Sequence, residues 1–148
     1  MITITILGLD PYLLRDISKD CTKKLADIYE CKSEDIDFFS PEGLYVHEGV
    51  EQNTWNVLVR VHAPLKVKVM EKDAAKILHE YIKDTCVNMA IEFYYYSQDN
   101  RYDFLNKDHP RFMTEENTVV EDKEEFVQEE GEEPYLGNIF EDFNKKEK

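Results

Sequence analysis

Residues 1–11 read MITITILGLDP, and the fold turns on how they are taken. Ile2, Ile4 and Ile6 alternate with Thr3 and Thr5, the period of two that marks a strand with its isoleucines inward. Gly8 and the LDP after it make a turn, with Asp10 at a helix N-cap and Pro11 at the first helical position. From there to about Glu30, Leu14, Ile17, Cys21, Leu25 and Ile28 step by three and four, so they share one apolar stripe. Arg15, Lys19, Lys23 and Lys24 face water, as expected of a surface helix packed on a sheet.

The same alternation of periods returns further along. DIDFF at residues 35–39 reads as a strand that stops at Ser40-Pro41, and LYVH at 44–47 as a short extension or hairpin arm. TWNVLVRVHA at 54–63 is the clearest strand, with Trp55, Val57, Val59 and Val61 on one face and Asn56, Leu58, Arg60 and His62 on the other. A second helix is expected from about Val67 to Cys86, carrying Met70, Ala74, Ile77, Leu78, Tyr81 and Ile82 inward. MAIEFYYY at 89–96 resumes the strand period, with Met89, Ile91, Phe93 and Tyr95 toward the helices. The order is strand, helix, strand, twice over: an α+β fold of tandem β-α-β units, with a four-stranded mixed sheet and two helices on one face. A ferredoxin-like fold has the same element order and differs in how the strands pair, so it stands as the alternative.

The chain has 148 residues, enough for one good core. Its formal net charge of -14 is uneven, because residues 114–148 hold 13 of the 32 acids against four lysines. The expected division is an α+β domain over 1–110 and an acidic tail over 111–148. A surface of this sign repels phosphate backbones and anionic headgroups, so neither nucleic acid nor a membrane is expected as partner. No run is apolar enough to span a bilayer and the start has no secretory signal, which makes cytoplasm the expected compartment. Cys21, Cys31 and Cys86 are odd in number and show no C-x-x-C or zinc-ligand spacing, so no metal, cofactor or disulfide is assigned. No G-x-S-x-G, Walker-type or G-x-G-x-x-G segment occurs, and five glycines leave little material for a phosphate cradle.

Two tandem strand-helix-strand units beginning at the first residue resemble the tautomerase superfamily, which includes macrophage migration inhibitory factor. ITILGLDPYLLRDISKDCTKKLADIYECKSEDI (4–36), VMEKDAAKILHEYIKD (69–84) and IEFYYYSQDNRYDFLN (91–106) resemble the blocks of an uncharacterised bacterial branch of it, a domain-of-unknown-function family. The resemblance spans roughly the first 105 residues. It implies a homo-oligomer, with a trimer favoured, in which the sheet face away from the helices meets neighbouring subunits and small-molecule pockets lie at subunit boundaries. It also implies that isomerising members use an amino-terminal proline as general base. Here the second residue is Ile2, so no proline amine forms, and Met1 offers only a primary amine on an untethered first residue.

Arg60, His62, Glu92, Tyr94 and Tyr96 fall by periodicity on the sheet face away from the helices, a mixture too aromatic for plain solvent and too charged for a core. Arg60 and Glu92 read most simply as a cross-strand pair and the tyrosines as interface filler. Alternatively, Arg60 and His62 could bind and polarise a carboxylate or carbonyl. Met1, Ile2, Arg60, His62, Tyr94 and Tyr96 are therefore the candidate ligand-binding residues, and no catalytic residue is assigned. His47, His79 and His109 lack a partner arrangement for chemistry. The expected role is a non-catalytic oligomeric binding or interaction protein; the alternative is an isomerase of small oxo-acids using Arg60 and His62 in place of the proline. At the far end, EDKEEFVQEEGEEP reads as an acidic spacer and PYLGNIFEDFNKKEK as a short amphipathic helix. Its Ile139, Phe140 and Phe143 are candidate anchors for a protein partner.

Overall fold

A computed structural model describes residues 1–114 and residue 117. The chain divides into two units, Met1–Phe112 and Met113–Lys148, and all the elements below belong to the first. The tail anchors Ile139, Phe140 and Phe143 lie outside the described residues.

Strand β1 (Ile2–Leu7) leads into helix α1 (Pro11–Tyr29) and strand β2 (Ile36–Phe39). A hairpin of β3 (Val46–His47) and β4 (Val50–Glu51) follows, then strand β5 (Asn56–Pro64), helix α2 (Glu71–Ile82) and strand β6 (Asn88–Tyr96). The main sheet has the order β2-β1-β5-β6. β1 and β2 are parallel, β1 and β5 antiparallel, and β5 and β6 parallel. Each β-α-β unit thus pairs its own two strands directly, and the two units meet back to back along β1 and β5. A ferredoxin-like sheet would split each parallel pair with a strand from the other unit, so the register excludes that alternative.

α1 starts where the sequence signals it: the Tyr12 N–H donates to the Asp10 carboxylate at 2.9 Å, and Pro11 occupies the first turn. It ends at Glu30 in the left-handed region, where the Cys31 N–H reaches the Ala26 carbonyl at 3.0 Å. The buried stripe is Ile17, Cys21, Leu25, Ala26 and Tyr29. Tyr29 takes the place expected for Ile28, which is only half-buried, because 3.6 residues per turn carry the seam one position onward by the last turn. These residues join Ile2, Ile4, Ile6, Val57, Val59 and Val61 in one core with Ala74, Leu78 and Ile82 of α2. Both helices therefore cover the same sheet face.

The second helix is shorter than its apolar period indicates. Leu65–Met70 and Lys83–Thr85 are 3-10 turns flanking α2, and no side chain caps its start. Trp55, expected to point inward with Val57, is 58% exposed. Thr54 before it has φ 66, which breaks the extended geometry on which the alternation rests. Gly8 secures the junction of the two units: at φ +80 its Cβ would lie 2.5 Å from the Asn56 carbonyl oxygen, and its own carbonyl accepts the Thr54 N–H at 2.7 Å. Among the described residues no helix is long and apolar enough to cross a membrane.

Candidate functional site

The six candidate residues separate into three places. Ile2 is 2% exposed and packs in the core, so its side chain is no part of a ligand surface. The alternation that made it readable as a strand residue turns it inward.

Arg60, His62 and Tyr94 lie together on the outer face of the sheet, because β5 and β6 run in register with Arg60 opposite Glu92 and His62 opposite Tyr94. Arg60 Nε donates to Glu92 Oε2 at 3.3 Å, and the Tyr94 hydroxyl donates to the same oxygen at 2.8 Å. The His62 and Tyr94 rings stack with centroids 5.0 Å apart. Thr3 and Thr5 of β1 stand opposite His62 and Arg60 and extend the row. The hydrogen bond to Glu92 pushes the Tyr94 phenol above its ordinary pKa, since a phenolate would face a carboxylate and lose the bond. Arg60 thus spends its Nε on Glu92, while the pair stays in water with side chains 43% and 45% exposed.

Met1 and Tyr96 lie at the end of the sheet where β1 begins and β5 and β6 finish. The Tyr96 hydroxyl donates to the Met1 carbonyl oxygen. Arg101, in the segment after β6, places its guanidinium 5.5 Å from the Tyr96 ring centre and its Nε 3.1 Å from an Asp103 carboxylate oxygen. That bond raises the Arg101 pKa and lowers that of Asp103. Arg111 Nη2 lies 3.2 Å from the Met1 sulfur. A polar cavity of about 220 Å³ opens among Met1, Pro64, Tyr96, Gln98, Arg101 and Asp103. Sequence reading missed Arg101 and Asp103, which sit beyond the last periodic strand. The only signal there is an Arg two residues before an Asp, a spacing common to exposed loops.

A larger cleft of about 610 Å³ lies at the opposite end of β1, between the start of α1 and the segment after β2, with Tyr12, Arg15, Glu42 and Asn53 in its wall. On the helix side of the sheet, the Tyr95 hydroxyl donates to Glu71 at 2.6 Å. Burial pushes the Tyr29 phenol up to about 12 and the Cys21 thiol likewise up to about 12. Cys21 is therefore a packed thiol held in its neutral form. His47, His79 and His109 are all exposed. Among the described residues no three His, Cys, Asp or Glu side chains converge on a common point for a metal ion.

No protein-family model matches the chain, and no curated protein matches it. Solved structures do. A domain of unknown function (DUF1904) from Sebaldella termitidis superposes with a TM-score of 0.63 at 20% identity, covering 70% of this chain and 95% of that one. A macrophage migration inhibitory factor-like protein from Entamoeba histolytica gives 0.55 at 10% identity over 69% of this chain and 95% of its own. A fused 4-OT described as an asymmetric trimer gives 0.54 at 12% identity over 72% and 94%. At such identities the likeness is one of fold, and the fold is that of the tautomerase and macrophage migration inhibitory factor group, an unknown-function member included.

Proposed function

We propose that this is a self-assembling binding or interaction protein that keeps the tautomerase-like fold without the proline chemistry. The observation that carries the reading is the Arg60–Glu92–Tyr94 network. A guanidinium meant for an oxo-acid needs a free fork and an uncompensated charge, and here its Nε donates to the Glu92 carboxylate on the next strand, which offsets that charge. Ile2, where the isomerising relatives implied by the sequence resemblance would carry their base, packs in the core. The outer face, with Thr3, Thr5, Leu58 and Tyr94 beside the ion pair, suits packing against further copies better than exposure on a monomer. A trimer is the assembly the resemblance favours, and cytoplasm the expected compartment. Met1, Arg60, His62, Tyr94 and Tyr96 are retained as candidate ligand contacts. Ile139, Phe140 and Phe143 are the proposed anchors for a protein partner.

The test is an isomerase assay with phenylpyruvate-type keto and enol forms. The expected result is no saturable rate above that of buffer, since general base catalysis typically supplies 10²- to 10⁴-fold and the usual base is absent. A saturable rate abolished in His62→Ala would overturn the reading in favour of an oxo-acid isomerase built on Arg60 and His62.

A further inference from the structure

The cleft of about 610 Å³ at the far end of β1 shares no lining residue with the Arg60 network or with the cavity beside Met1. Its size falls within the roughly 300–1,000 Å³ of small-molecule sites, and its frame is fixed by the chain's own hydrogen bonds. On one side, the Asp10 carboxylate accepts the Tyr12 N–H at 2.9 Å and so holds the first turn of α1. On the other, the Asn53 side chain clamps the segment after β2, donating to the Gly43 carbonyl at 3.1 Å and accepting from the Tyr45 N–H at 2.9 Å. Between them lie buried Leu9 and Thr54, whose N–H donates to the Gly8 carbonyl at 2.7 Å. Thr54 holds φ 66, a costly conformation for a β-branched residue.

The groups that build the frame are committed, whereas three side chains in its walls are not. Tyr12 and Arg15 stand three residues apart on α1 and therefore share one side of its first turns. Tyr12 is 77% exposed. Among the described residues the ion pairs are Arg60–Glu92, Lys76–Asp73 and Arg101–Asp103, so Arg15 and Glu42 carry opposite charges in one cleft without meeting each other. A guanidinium presents a planar fork to a carboxylate, a carboxylate accepts from an ammonium, and a phenol ring offers its face to a flat apolar group. A phosphate ester fits less well, because it would meet the Asp10 and Glu42 carboxylates against one guanidinium.

We infer that this cleft binds an aromatic α-amino acid, with the ligand's carboxylate on Arg15, its ammonium on Glu42 and its ring against Tyr12. The site goes beyond the self-assembly reading and does not rest on it, so either can fail alone.

The test is calorimetric titration of the full chain with L-tryptophan, tryptamine, which lacks the carboxylate, and indole-3-propionate, which lacks the ammonium. Saturable binding of L-tryptophan is expected, with each singly charged probe weaker by at least about tenfold, since each loses one charge-assisted bond. Arg15→Gln should weaken L-tryptophan by a similar factor and leave tryptamine unchanged; Glu42→Gln should weaken L-tryptophan and leave indole-3-propionate unchanged. Both residues are exposed, and an unfolding midpoint equal to that of the native chain assigns the losses to the contacts rather than to the fold. No saturable binding of L-tryptophan up to about 10 mM overturns the inference. So does binding that survives both variants, which would place the ligand elsewhere, or a singly charged probe that binds as tightly as L-tryptophan.

Discussion

The two β-α-β units share an element order and differ in how completely each satisfies itself. In the first, β1 lies between two strands, α1 runs 19 residues from a side-chain cap, and Ile2, Ile4 and Ile6 are all buried. In the second, α2 runs 12 residues with no side-chain cap, and the inward residues of β6, Met89, Ile91, Phe93 and Tyr95, are only partly buried. A central strand is enclosed by its own chain, whereas an edge strand is enclosed only as far as the helix above it reaches. The difference teaches that burial follows a strand's place in the sheet and not the unit it belongs to, since β5 of the second unit, which is also central, buries Val57, Val59 and Val61.

That contrast breaks most directly at matched core deletions. Ile4→Ala should cost about 2–5 kcal/mol, read from urea unfolding, because Ile4 is fully buried. Ile91→Ala should cost clearly less in dilute solution, since part of that side chain is already in water. Equal losses would mean that the edge strand is as enclosed as the central one.

The next effect is expected at alkaline pH and belongs to the first unit. Burial holds the Tyr29 phenol at about 12 in the folded chain, above the ordinary value near 10. A raised folded pKa means that the folded state keeps its proton longer, so its contribution is complete below about pH 10 and is lost as pH climbs toward 12. Stability should therefore fall across that window, and Tyr29→Phe should flatten the fall. An unchanged slope in Tyr29→Phe would assign the loss to other groups that burial raises, the Cys21 thiol among them.

Asp10→Ala should lower stability by about 1 kcal/mol through loss of the cap on Tyr12, measured by thermal or urea unfolding. A negligible change would erase the capping difference between α1 and α2. The smallest effect is expected at Glu92→Gln: an exposed ion pair is worth about 0–1 kcal/mol, so stability should barely move. The spectrophotometric titration of Tyr94 should nevertheless shift down, because the carboxylate that disfavours its phenolate is gone. A titration unmoved in this variant would separate Tyr94 from Glu92 in solution.

By itself the sequence determined the elements and the inner face of the sheet. The alternation of Ile2, Ile4 and Ile6, the Asp10-Pro11 start, and the three-four stepping of Ile17, Cys21 and Leu25 are local patterns, and backbone geometry converts local patterns into faces. It also paired Arg60 with Glu92 in expectation, since two strands of one unit run in the same direction and matching periods bring like faces together. What only the tertiary structure decided was everything that depends on which strands are neighbours and where a period stops. The back-to-back pairing of β1 with β5 distinguishes this sheet from a ferredoxin-like one, although both satisfy the same hydrophobic pattern. Trp55 swings into water because Thr54 leaves the extended region one residue earlier. Arg101 reaches the Tyr96 ring from a segment with no regular period, and it and Asp103 line one cavity with Met1, about 100 residues earlier in the chain, a juxtaposition that no local pattern encodes.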